Sequence, residues 1–337
     1  MDRYSRQRLF APIGDDGQKR ISAARVTLVG CGALGSHLAQ HLVRAGVGRL
    51  RICDRDFVEL DNLQRQVLFD EEDVRANLPK AAAAAQKIAR INSSVAVDAR
   101  VVDVTWSNVE ELVADADVVL DGTDNFETRF LLNDACVKLG RPWVYGGCVG
   151  SHGMVLAVVP GDTACFACVV PELPAPGSSP TCDTAGVLGP AVGAVASVQA
   201  AEALKLLAGR REALTRSLTT LDVWTGTWQS FAVRRLPDCE VCGRRQFRFL
   251  AARDGGAATT LCGRNAVQIT AAAGARLDLV DLERRLAPLG PVRRNPFLLR
   301  FEPEGFEITV FQDGRAIVKG TDDASRARAL YAKFVGA

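Results

Sequence analysis

The stretch VTLVGCGALGS, at residues 26–36, decides the fold. Residues 26–29 form a β-rich run that ends at Gly30, and a helical pattern follows over about 34–45. A second strand is predicted at 50–53. Because strand, glycine turn, helix, strand is the unit of a parallel sheet with crossover helices, the stretch predicts an α/β fold. We expect a Rossmann-like, mostly parallel sheet with helices on both faces.

The alternation of strands and helices continues beyond this unit. An alanine-rich helix is predicted after Pro79. The apolar run 189–208 contains Gln199, Glu202 and Lys205, so it is predicted as a buried helix and not as a membrane span. Further strands are predicted at 95–101, near 117–120, and at 143–145, 154–159, 217–223 and 230–234.

Two later segments depart from this alternation. Residues 171–190, PELPAPGSSPTCDTAGVLGP, hold too much proline and glycine for regular structure and are predicted as a mobile or functional loop. After Arg245 the pattern predicts a separate α+β appendage. Its predicted elements are a helix at 279–289, a hairpin at 307–318 turning at Asp313-Gly314, and a helix at 324–334. The chain is therefore expected to hold a domain of residues 1–245 and an appendage of residues 246–337.

The composition is that of a globular protein. Of 337 residues, 48% are hydrophobic and 24% are charged. The formal net charge of +2 argues against generic nucleic-acid binding. The N-terminal MDRYSRQRLF lacks an apolar segment, so neither a secretory signal nor membrane association is expected. The protein is predicted to be cytoplasmic.

Two Cys-x-x-Cys pairs, Cys165/Cys168 and Cys239/Cys242, form the most specific pattern of the chain. Each two-residue spacer lets both sulfurs of a pair face one ion, and four thiolates supply the tetrahedral shell that structural zinc (Zn2+) favours. Redox dithiols or disulfides are the alternative, although a reducing compartment favours a metal. Five further cysteines lack ligand spacing and are predicted as core residues: Cys31, Cys53, Cys136, Cys148 and Cys262.

The glycine turn, Gly30-Cys-Gly32-Ala-Leu-Gly35, matches the pattern G-x-G-x-x-G. Between a strand and a helix, such glycines bring phosphates close to backbone N–H groups at the helix N-terminus. Asp54 ends the next predicted strand, where a carboxylate can accept hydrogen bonds from ribose hydroxyls. The pattern predicts a site for an adenine nucleotide, NAD included. A glycine turn that binds nothing is the alternative.

Several polar residues bear on which nucleotide is bound. Asn62 and Arg65 lie in DNLQRQ, Lys80 stands at the predicted start of a helix, and Arg6 lies near the N-terminus. A triphosphate with a departing pyrophosphate requires more positive charge than a dinucleotide does. Taken singly, each basic residue is better explained as a solvated surface residue.

The motif DGTDN, at 121–125, follows a predicted strand at the carboxyl end of the sheet, where ligands of open α/β folds lie. A carboxylate there can hold a magnesium ion (Mg2+) that bridges phosphates. The alternative is that Thr123 or Asp124 caps a helix beginning near Glu127.

In order along the chain, RYSRQ, GCGALGS, DNLQRQ, LPK, DGTDN and the cysteine pairs resemble the motifs of the ThiF/MoeB/HesA family, bacterial relatives of ubiquitin-activating enzymes. The resemblance covers about residues 3–243, with Ala33 where most relatives have glycine. It implies that ATP lies on the backbone of Gly30, Gly32 and Ala33.

The resemblance also implies a role for individual side chains. Asp54 would bind the ribose of ATP, while Asn62, Arg65 and Lys80 would hold its phosphates. Asp124, with Asn125 beside it, would bind Mg2+. Arg6 would reach into the neighbouring subunit's ATP site across a homodimer, and the ligands of Zn2+ would be Cys165, Cys168, Cys239 and Cys242.

The implied reaction is adenylylation of the C-terminal glycine of a ubiquitin-like sulfur carrier protein that ends in Gly-Gly, with release of pyrophosphate. No protein base is required, because the carboxylate is already ionised at neutral pH. A peptide or a tRNA-borne carboxylate is an alternative acceptor. Less favoured are a noncatalytic scaffold and an NAD-dependent dehydrogenase, for which the chain offers only the histidines His37, His41 and His152.

Cys182 resembles the family cysteine on a crossover loop, here at about 171–190. In some relatives that cysteine joins the carrier as an acyl disulfide or thioester, so covalent transfer through Cys182 is a hypothesis, with a spectator thiol as the alternative. Asp183 would raise the pKa of this thiol, which argues against strong activation. The appendage lies outside the resemblance and is predicted to dock the carrier or a sulfur donor protein.

Overall fold

The computed structural model describes residues 2–174, 182–251, 258–261, 265–269, 277–303 and 305–336. The chain divides into two compact units, Met1–Ala252 and Arg253–Ala337, a few residues beyond the predicted boundary. Each unit contains its own β-sheet and its own hydrophobic core.

The first unit is built around an eight-stranded sheet. Its strands are β1 (Arg25–Val29), β2 (Arg49–Cys53), β3 (Ala96–Arg100), β4 (Val118–Asp121), β5 (Trp143–Val149), β6 (His152–Val158), β7 (Ser217–Asp222) and β8 (Thr227–Ala232). The helices of this unit are α1 (Ser5–Leu9), α2 (Gly14–Ala23), α3 (Ala33–Ala45), α4 (Glu71–Arg75), α5 (Lys80–Ile91), α6 (Val109–Val113), α7 (Phe126–Leu139), α8 (Phe166–Val169), α9 (Cys182–Ala185), α10 (Gly189–Leu207) and α11 (Arg248–Ala251).

The strand order across the sheet is β3-β2-β1-β4-β5-β6-β7-β8. Strands β1 to β5 run parallel, and β6, β7 and β8 extend the sheet by antiparallel pairing. Successive residues of a strand point to opposite faces of the sheet and pack into different hydrophobic cores. Val118 and Leu120 of β4 pack in the core that contains residues of α3, α5 and α10. Val119 packs in the core on the other face, with residues of α6 and α7. The predicted α/β fold, with helices on both faces of a mostly parallel sheet, is confirmed.

Local sequence explains where the main helices begin and end. Helix α3 ends at Gly46, whose φ of 82° is a left-handed conformation that glycine adopts without strain. The N–H of Gly46 donates to the carbonyl oxygens of Leu42 and Val43. Helix α10 begins at Gly189-Pro190, since proline fits the first turn of a helix, where its missing N–H is not needed.

Strand β5 is longer than predicted. The prediction ended it before Gly146 and Gly147, but the strand continues to Val149. A Cβ on Gly146 would stand 2.1 Å from the side chain of Gln199 on α10, so glycine is required for the helix to lie this close to the strand.

The prediction of irregular structure over 171–190 is wrong at two places. Cys182–Ala185 form the short helix α9, and α10 already begins at Gly189. Residues 175–181 of this segment lie outside the described residues.

Among its described residues, the second unit contains a six-stranded antiparallel sheet and two α-helices. Its strand order is β11-β12-β13-β14-β10-β9. The strands are β9 (Ala258–Leu261), β10 (Ala266–Ile269), β11 (Val292–Arg294), β12 (Leu298–Phe301), β13 (Glu307–Phe311) and β14 (Ala316–Lys319), and the helices are α12 (Leu279–Leu286) and α13 (Ala324–Phe334). The predicted α+β character, the β13–β14 hairpin and α13 are confirmed.

Among the described helices, none combines the length and the apolar character needed to cross a lipid bilayer.

Candidate active site

Three chain segments meet at the carboxyl end of the parallel strands. Val29 of β1 is paired with Asp121 of β4, and the N–H of Gly122 donates to the carbonyl oxygen of Val29 at 2.7 Å. The N–H of Gly30 donates to the carbonyl oxygen of Cys53, at the end of β2, at 2.8 Å. Strand order changes direction beside β1, which is where open α/β sheets bind ligands.

The glycines at this edge of the sheet differ in how closely other atoms approach them. A Cβ on Gly30, whose φ is +86°, would stand 2.7 Å from the backbone of Gly122, and one on Gly35 would stand 2.0 Å from the oxygen of Gly30. A Cβ on Gly32 would meet only Gln66, at 3.9 Å. Gly30, Gly35 and Gly122 therefore allow close backbone packing, whereas Gly32 borders open space at the start of α3.

Helix α3 points its N-terminus into this space. It begins at Ala33, and the preceding Gly32 has no side chain to cap the first N–H groups. These groups and the positive end of the helix dipole are suited to an anion such as phosphate.

Asp54 is fixed at the end of β2, beside the glycine turn. Its Oδ2 accepts a hydrogen bond from the N–H of Cys31 at 2.6 Å, and its Oδ1 accepts one from the N–H of Asp56 at 2.7 Å. Burial raises the pKa of Asp54, and the positive charge of Lys80 opposes that shift. The carboxylate is thus held rigidly where a ribose is expected.

Lys80, the first residue of α5, lies close to the same edge. Its Nζ is 3.3 Å from Oδ2 of Asp56, and its side chain is only 6% exposed. The N–H of Lys80 also donates to the carbonyl oxygen of Asp56, at 2.8 Å. The sequence analysis missed Asp56, although its position two residues after Asp54, at the same strand end, was a usable signal.

Asn62 and Arg65 lie on the segment between β2 and α5. Asn62 is buried, and its Nδ2 donates to Oδ1 of Asp61 at 2.8 Å. Nη1 of Arg65 donates to the carbonyl oxygen of Asp61 at 2.8 Å. A Cβ on Gly189 would stand 3.0 Å from the carbonyl oxygen of Gln64, so this segment lies against the start of α10.

The two aspartates of DGTDN have different environments. Asp121 is fully buried, and its Oδ2 lies 3.3 Å from Nε of Arg129 on α7. Its Oδ1 accepts hydrogen bonds from the N–H and hydroxyl of Thr123, at 2.8 and 2.7 Å. Burial raises the pKa of Asp121, with Arg129 opposing. Asp124 is exposed at the edge where the other segments meet.

The capping alternative named the wrong residues. Asn125 caps α7, since its Oδ1 accepts a hydrogen bond from the N–H of Thr128 at 2.8 Å. Thr123 is bonded to Asp121 instead, and α7 begins at Phe126.

Arg6 lies on α1, which packs at the far end of α3. Nε2 of Gln7 donates to the carbonyl oxygen of Ala45 at 3.0 Å, and Tyr4 lies against Gly46. The 13 residues of α3 span about 20 Å from this end to the glycine turn. The structure therefore does not bring Arg6 to the glycine turn of its own chain.

The four paired cysteines converge on one point, with all four sulfurs within 4.8 Å of one another. Sγ of Cys165 is 3.8 Å from Sγ of Cys168 and 3.6 Å from Sγ of Cys239, and Cys168 and Cys242 are 3.4 Å apart. Tetrahedral Zn–S bonds of about 2.3 Å put sulfurs about 3.8 Å apart. Disulfides, at about 2.05 Å, do not fit these separations.

The surroundings of the cluster also suit thiolates. Nδ2 of Asn133 on α7 donates to Sγ of Cys165 at 3.7 Å, while its Oδ1 accepts from the N–H of Phe166 at 3.0 Å. Hydrogen bonds from Cys165 and from the N–H of Leu236 lower the pKa of Cys168, whereas donation of its proton to Cys168, together with burial, raises the pKa of Cys165. Thiolates are the form that binds metals.

The other cysteines behave as predicted wherever they are described. Cys31, Cys53, Cys136 and Cys148 are buried. Burial raises the pKa of Cys53 to about 12 and raises those of Cys31 and Cys136 as well. The side chain of Cys182 and all of Cys262 lie outside the described residues.

Two of the histidines, His37 and His41, lie between α3 and α10, and the third, His152, lies at the start of β6. Nε2 of His41 is 3.2 Å from Oγ of Ser197, at the packing of α3 on α10. Burial lowers the pKa of His37 and of His41. His152 lies 3.4 Å from Asp222 at the ends of β6 and β7.

Comparison with known protein families identifies the group to which the chain belongs. Residues 4–241 match the model described as the ThiF family. The chain belongs to the ThiF family. Its family region thus covers the glycine turn, the DGTDN motif, the first cysteine pair and Cys239, and it ends one residue before Cys242.

Named relatives extend this finding. The chain is 46% identical over 337 residues to the sulfur carrier protein ThiS adenylyltransferase of Bacillus subtilis, covering 99% of each chain. It is 44% identical to the SAMP-activating enzyme E1 of Haloferax volcanii, over 72% of this chain and 89% of that relative. The fold resembles Escherichia coli MccB with ATP, at 23% identity and a TM-score of 0.63 over 72% and 75% of the two chains.

These relatives establish the type of enzyme. The ThiF-family region and the adenylyltransferases that resemble it make this chain an adenylyltransferase. The similarity to the B. subtilis protein also runs through the second unit, which the family model does not cover.

Proposed function

We propose that this chain adenylylates the C-terminal glycine of a small ubiquitin-like sulfur carrier protein, of the ThiS or MoaD type, that ends in Gly-Gly. The observation that carries the proposal is the similarity to the B. subtilis protein across both units, since that relative's name gives ThiS as its substrate. The segments that meet beside β1 supply the chemistry that such a reaction needs.

ATP would extend along the carboxyl end of the sheet. Its phosphates would lie on the backbone of Gly30, Gly32 and Ala33, at the N-terminus of α3, and its ribose on the fixed carboxylate of Asp54. Lys80 is held in place by Asp56, so its ammonium group is already positioned before a phosphate arrives. Asn62 and Arg65 approach from the neighbouring segment.

In the reaction, a carboxylate oxygen of the carrier's last glycine attacks the α-phosphorus of ATP. The bond between that phosphorus and the pyrophosphate oxygen breaks, and pyrophosphate leaves. Lys80 and Arg65 offset the charge that builds on the phosphoryl oxygens. Because the nucleophile is already ionised, catalysis is mainly positioning.

Arg6 would act on the ATP of a second copy of this chain. Its place at the far end of α3 supports this role, because the side chain is remote from its own glycine turn. The proposal therefore requires a homodimer.

The two metals would have separate tasks. Mg2+ is commonly held by one or two carboxylates together with substrate phosphates, and Asp124 is the exposed carboxylate of its motif, with Asn125 beside it. Bound there, Mg2+ would neutralise phosphate charge. Zn2+ fits the four converging sulfurs and would join α8 to the segment after β8.

Later steps would involve Cys182 and the second unit. A thiolate at Cys182 could attack the carbonyl carbon of the acyl-adenylate, releasing AMP and forming a thioester. The predicted appendage, residues 246–337, which includes the second unit, would dock the carrier or a sulfur donor protein.

The test is ATP:pyrophosphate exchange with Gly-Gly-ended carriers from the same organism, with Mg2+ present. Exchange is expected with one intact carrier and lost when its final glycine is removed. Short peptides and tRNA serve as competing acceptors. Exchange that requires one of these, and none of the carriers, would refute the proposed acceptor.

A further inference from the structure

An ion pair outside the sequence motifs lies at the ends of β2 and β3. Nη1 of Arg55 donates to both carboxylate oxygens of Asp103, at 2.9 and 3.0 Å. The N–H of Asp54 donates to the carbonyl oxygen of Arg100 at 3.1 Å, which holds the two strand ends side by side. The exposed fractions of the two side chains are 29% and 24%, so the pair is largely shielded from water.

This pair continues into the proposed phosphate site. Nε of Arg55 is 3.8 Å from Oδ1 of Asp56, whose Oδ2 pairs with Lys80. Burial, the largest influence, would lower the pKa of Arg55, but the charges of Asp103, Asp56 and Asp124 together raise it. Arg55 thus lies among the carboxylates that surround the site.

The strand order indicates which part of a nucleotide lies here. If the phosphates lie at the turn after β1, and the ribose lies at Asp54 after β2, the base extends further in the same direction. The next strand in that direction is β3. Arg55 follows β2 and Asp103 follows β3, so both are in place to border the base.

We propose that Asp103 recognises the base of ATP by accepting a hydrogen bond from the 6-amino group of adenine, and that Arg55 is a positioning residue that orients this carboxylate. The proposal rests on the proposed use of ATP. The backbone of Asp103 is also held, because Nδ2 of Asn108 donates to its carbonyl oxygen at 2.8 Å.

This arrangement would select ATP over GTP. A carboxylate can accept several hydrogen bonds at once, and the 6-amino group of adenine is a donor. Guanine carries an oxygen at that position. Because this oxygen and the carboxylate are both hydrogen-bond acceptors, they would repel each other and GTP would bind more weakly.

Equilibrium binding of nucleotide triphosphates with Mg2+, to the full-length protein without a carrier, tests the pair. The probes are ATP, GTP and purine riboside triphosphate, which lacks the 6-amino group. Wild type should bind ATP about 10- to 100-fold more tightly than purine riboside triphosphate, as expected for a hydrogen bond to a charged group. Asp103→Ala should bind these two equally.

Further variants separate recognition from structure. Asp103→Asn can donate to the guanine oxygen, so its ATP-to-GTP affinity ratio should fall most. Arg55→Lys keeps the charge but loses the planar guanidinium, so it should lower the ratio partly, while Arg55→Ala should lower it further. Asp98→Asn is the matched control, since Asp98 pairs with Arg51 on the same two strands and should leave the ratio unchanged.

The outcomes distinguish this proposal from the proposed function. If removal of the 6-amino group costs wild type and Asp103→Ala the same factor, Asp103 does not touch the base and the inference is wrong. If wild type binds none of the triphosphates, the proposed use of ATP fails first. Circular dichroism and melting temperatures confirm that each variant is folded.

Discussion

Gly30 and Gly35 approach so closely that a Cβ on Gly35 would stand 2.0 Å from the carbonyl oxygen of Gly30. The first turn of α3 is thereby pressed against the glycine turn. Gly35→Ala must push this backbone apart, so we expect the variant to lose about 1–3 kcal/mol of unfolding free energy, together with ATP affinity. Urea unfolding and nucleotide binding measure the two effects.

Gly32→Ala is the matched variant for the same turn. Its Cβ would have no neighbour nearer than 3.9 Å, but the backbone of Gly32, at φ −81° and ψ −136°, lies outside the regions that alanine prefers. Backbone strain is then the main cost, so Gly32→Ala should lose about 1 kcal/mol of stability, less than Gly35→Ala, which must also separate the packed backbone. ATP affinity should still fall, because the methyl group would occupy space proposed for the phosphates. Equal destabilisation by both substitutions would contradict this division of tasks.

The aspartates of DGTDN should respond differently to the same substitution. Asp121→Asn leaves buried Arg129 without its partner charge and should cost about 3–5 kcal/mol of stability. Asp124→Asn changes an exposed residue, so the melting temperature should hold while Mg2+-dependent pyrophosphate exchange is lost. The prediction is wrong if Asp124→Asn retains exchange at wild-type rates.

Asn133 should support the metal centre without being a ligand. Asn133→Ala removes the N–H donor to Cys165 and should lower zinc affinity about 10- to 100-fold, as measured by chelator competition. Asn92→Ala is the control, because Asn92 is a buried asparagine that donates to Val43 at 2.9 Å, far from the cysteines in sequence. A similar loss of zinc in both variants would indicate general unfolding.

Asp134 should make stability depend on pH. It is buried on α7, where burial raises its pKa to about 6, and the N–H groups of Phe249 and Leu250 oppose that shift. An unfolded chain releases this proton near pH 3.8, so the native state binds more protons between about pH 4 and 6. The contribution of Asp134 to stability therefore falls as pH rises through that window, by at most about 3 kcal/mol.

Asp134→Asn cannot titrate, so its unfolding free energy should rise relative to that of wild type between pH 4 and pH 7. Urea titrations of both proteins at the two pH values measure this change. A difference between the proteins that does not vary with pH would show that Asp134 keeps an ordinary pKa.

Cys182 should act after adenylylation. Cys182→Ala is expected to leave pyrophosphate exchange unchanged and to abolish any covalent adduct with the carrier, detected by mass spectrometry of the intact proteins. Loss of exchange would assign the thiol an earlier role. A persistent adduct would point to a different nucleophile.

The sequence predicted best those features that local pattern determines. Helix α13 has its predicted ends, and β1, β2 and the glycine turn lie within a residue of theirs. In these segments the spacing of apolar residues and the position of the turn-forming residues indicate the same ends for each element. Helix α1 was missed because it has no buried residues and hence no apolar face to recognise.

Features that depend on distant contacts could not be predicted. Strand β5 runs through two glycines, and the first of them, Gly146, leaves room for Gln199 of the distant helix α10. The pairs Asp56–Lys80 and Asn133–Cys165 join residues 24 and 32 positions apart, so no local pattern marks them. The convergence of the cysteines was predictable, because two chelating pairs have few other uses.

A metal held by the cysteine pairs would also restrain the unfolded chain. It would close a ring between Cys168 and Cys239 that contains α10, β7 and β8. By polymer estimates, closing a ring of about 70 residues removes unfolded-state entropy worth about 4 kcal/mol. Gln199 within that ring donates to the carbonyl oxygen of Asp121 at 2.9 Å. Removing the metal would therefore loosen the ring that contains α10, and through Gln199 it would also weaken the edge of the sheet that is proposed to bind ATP.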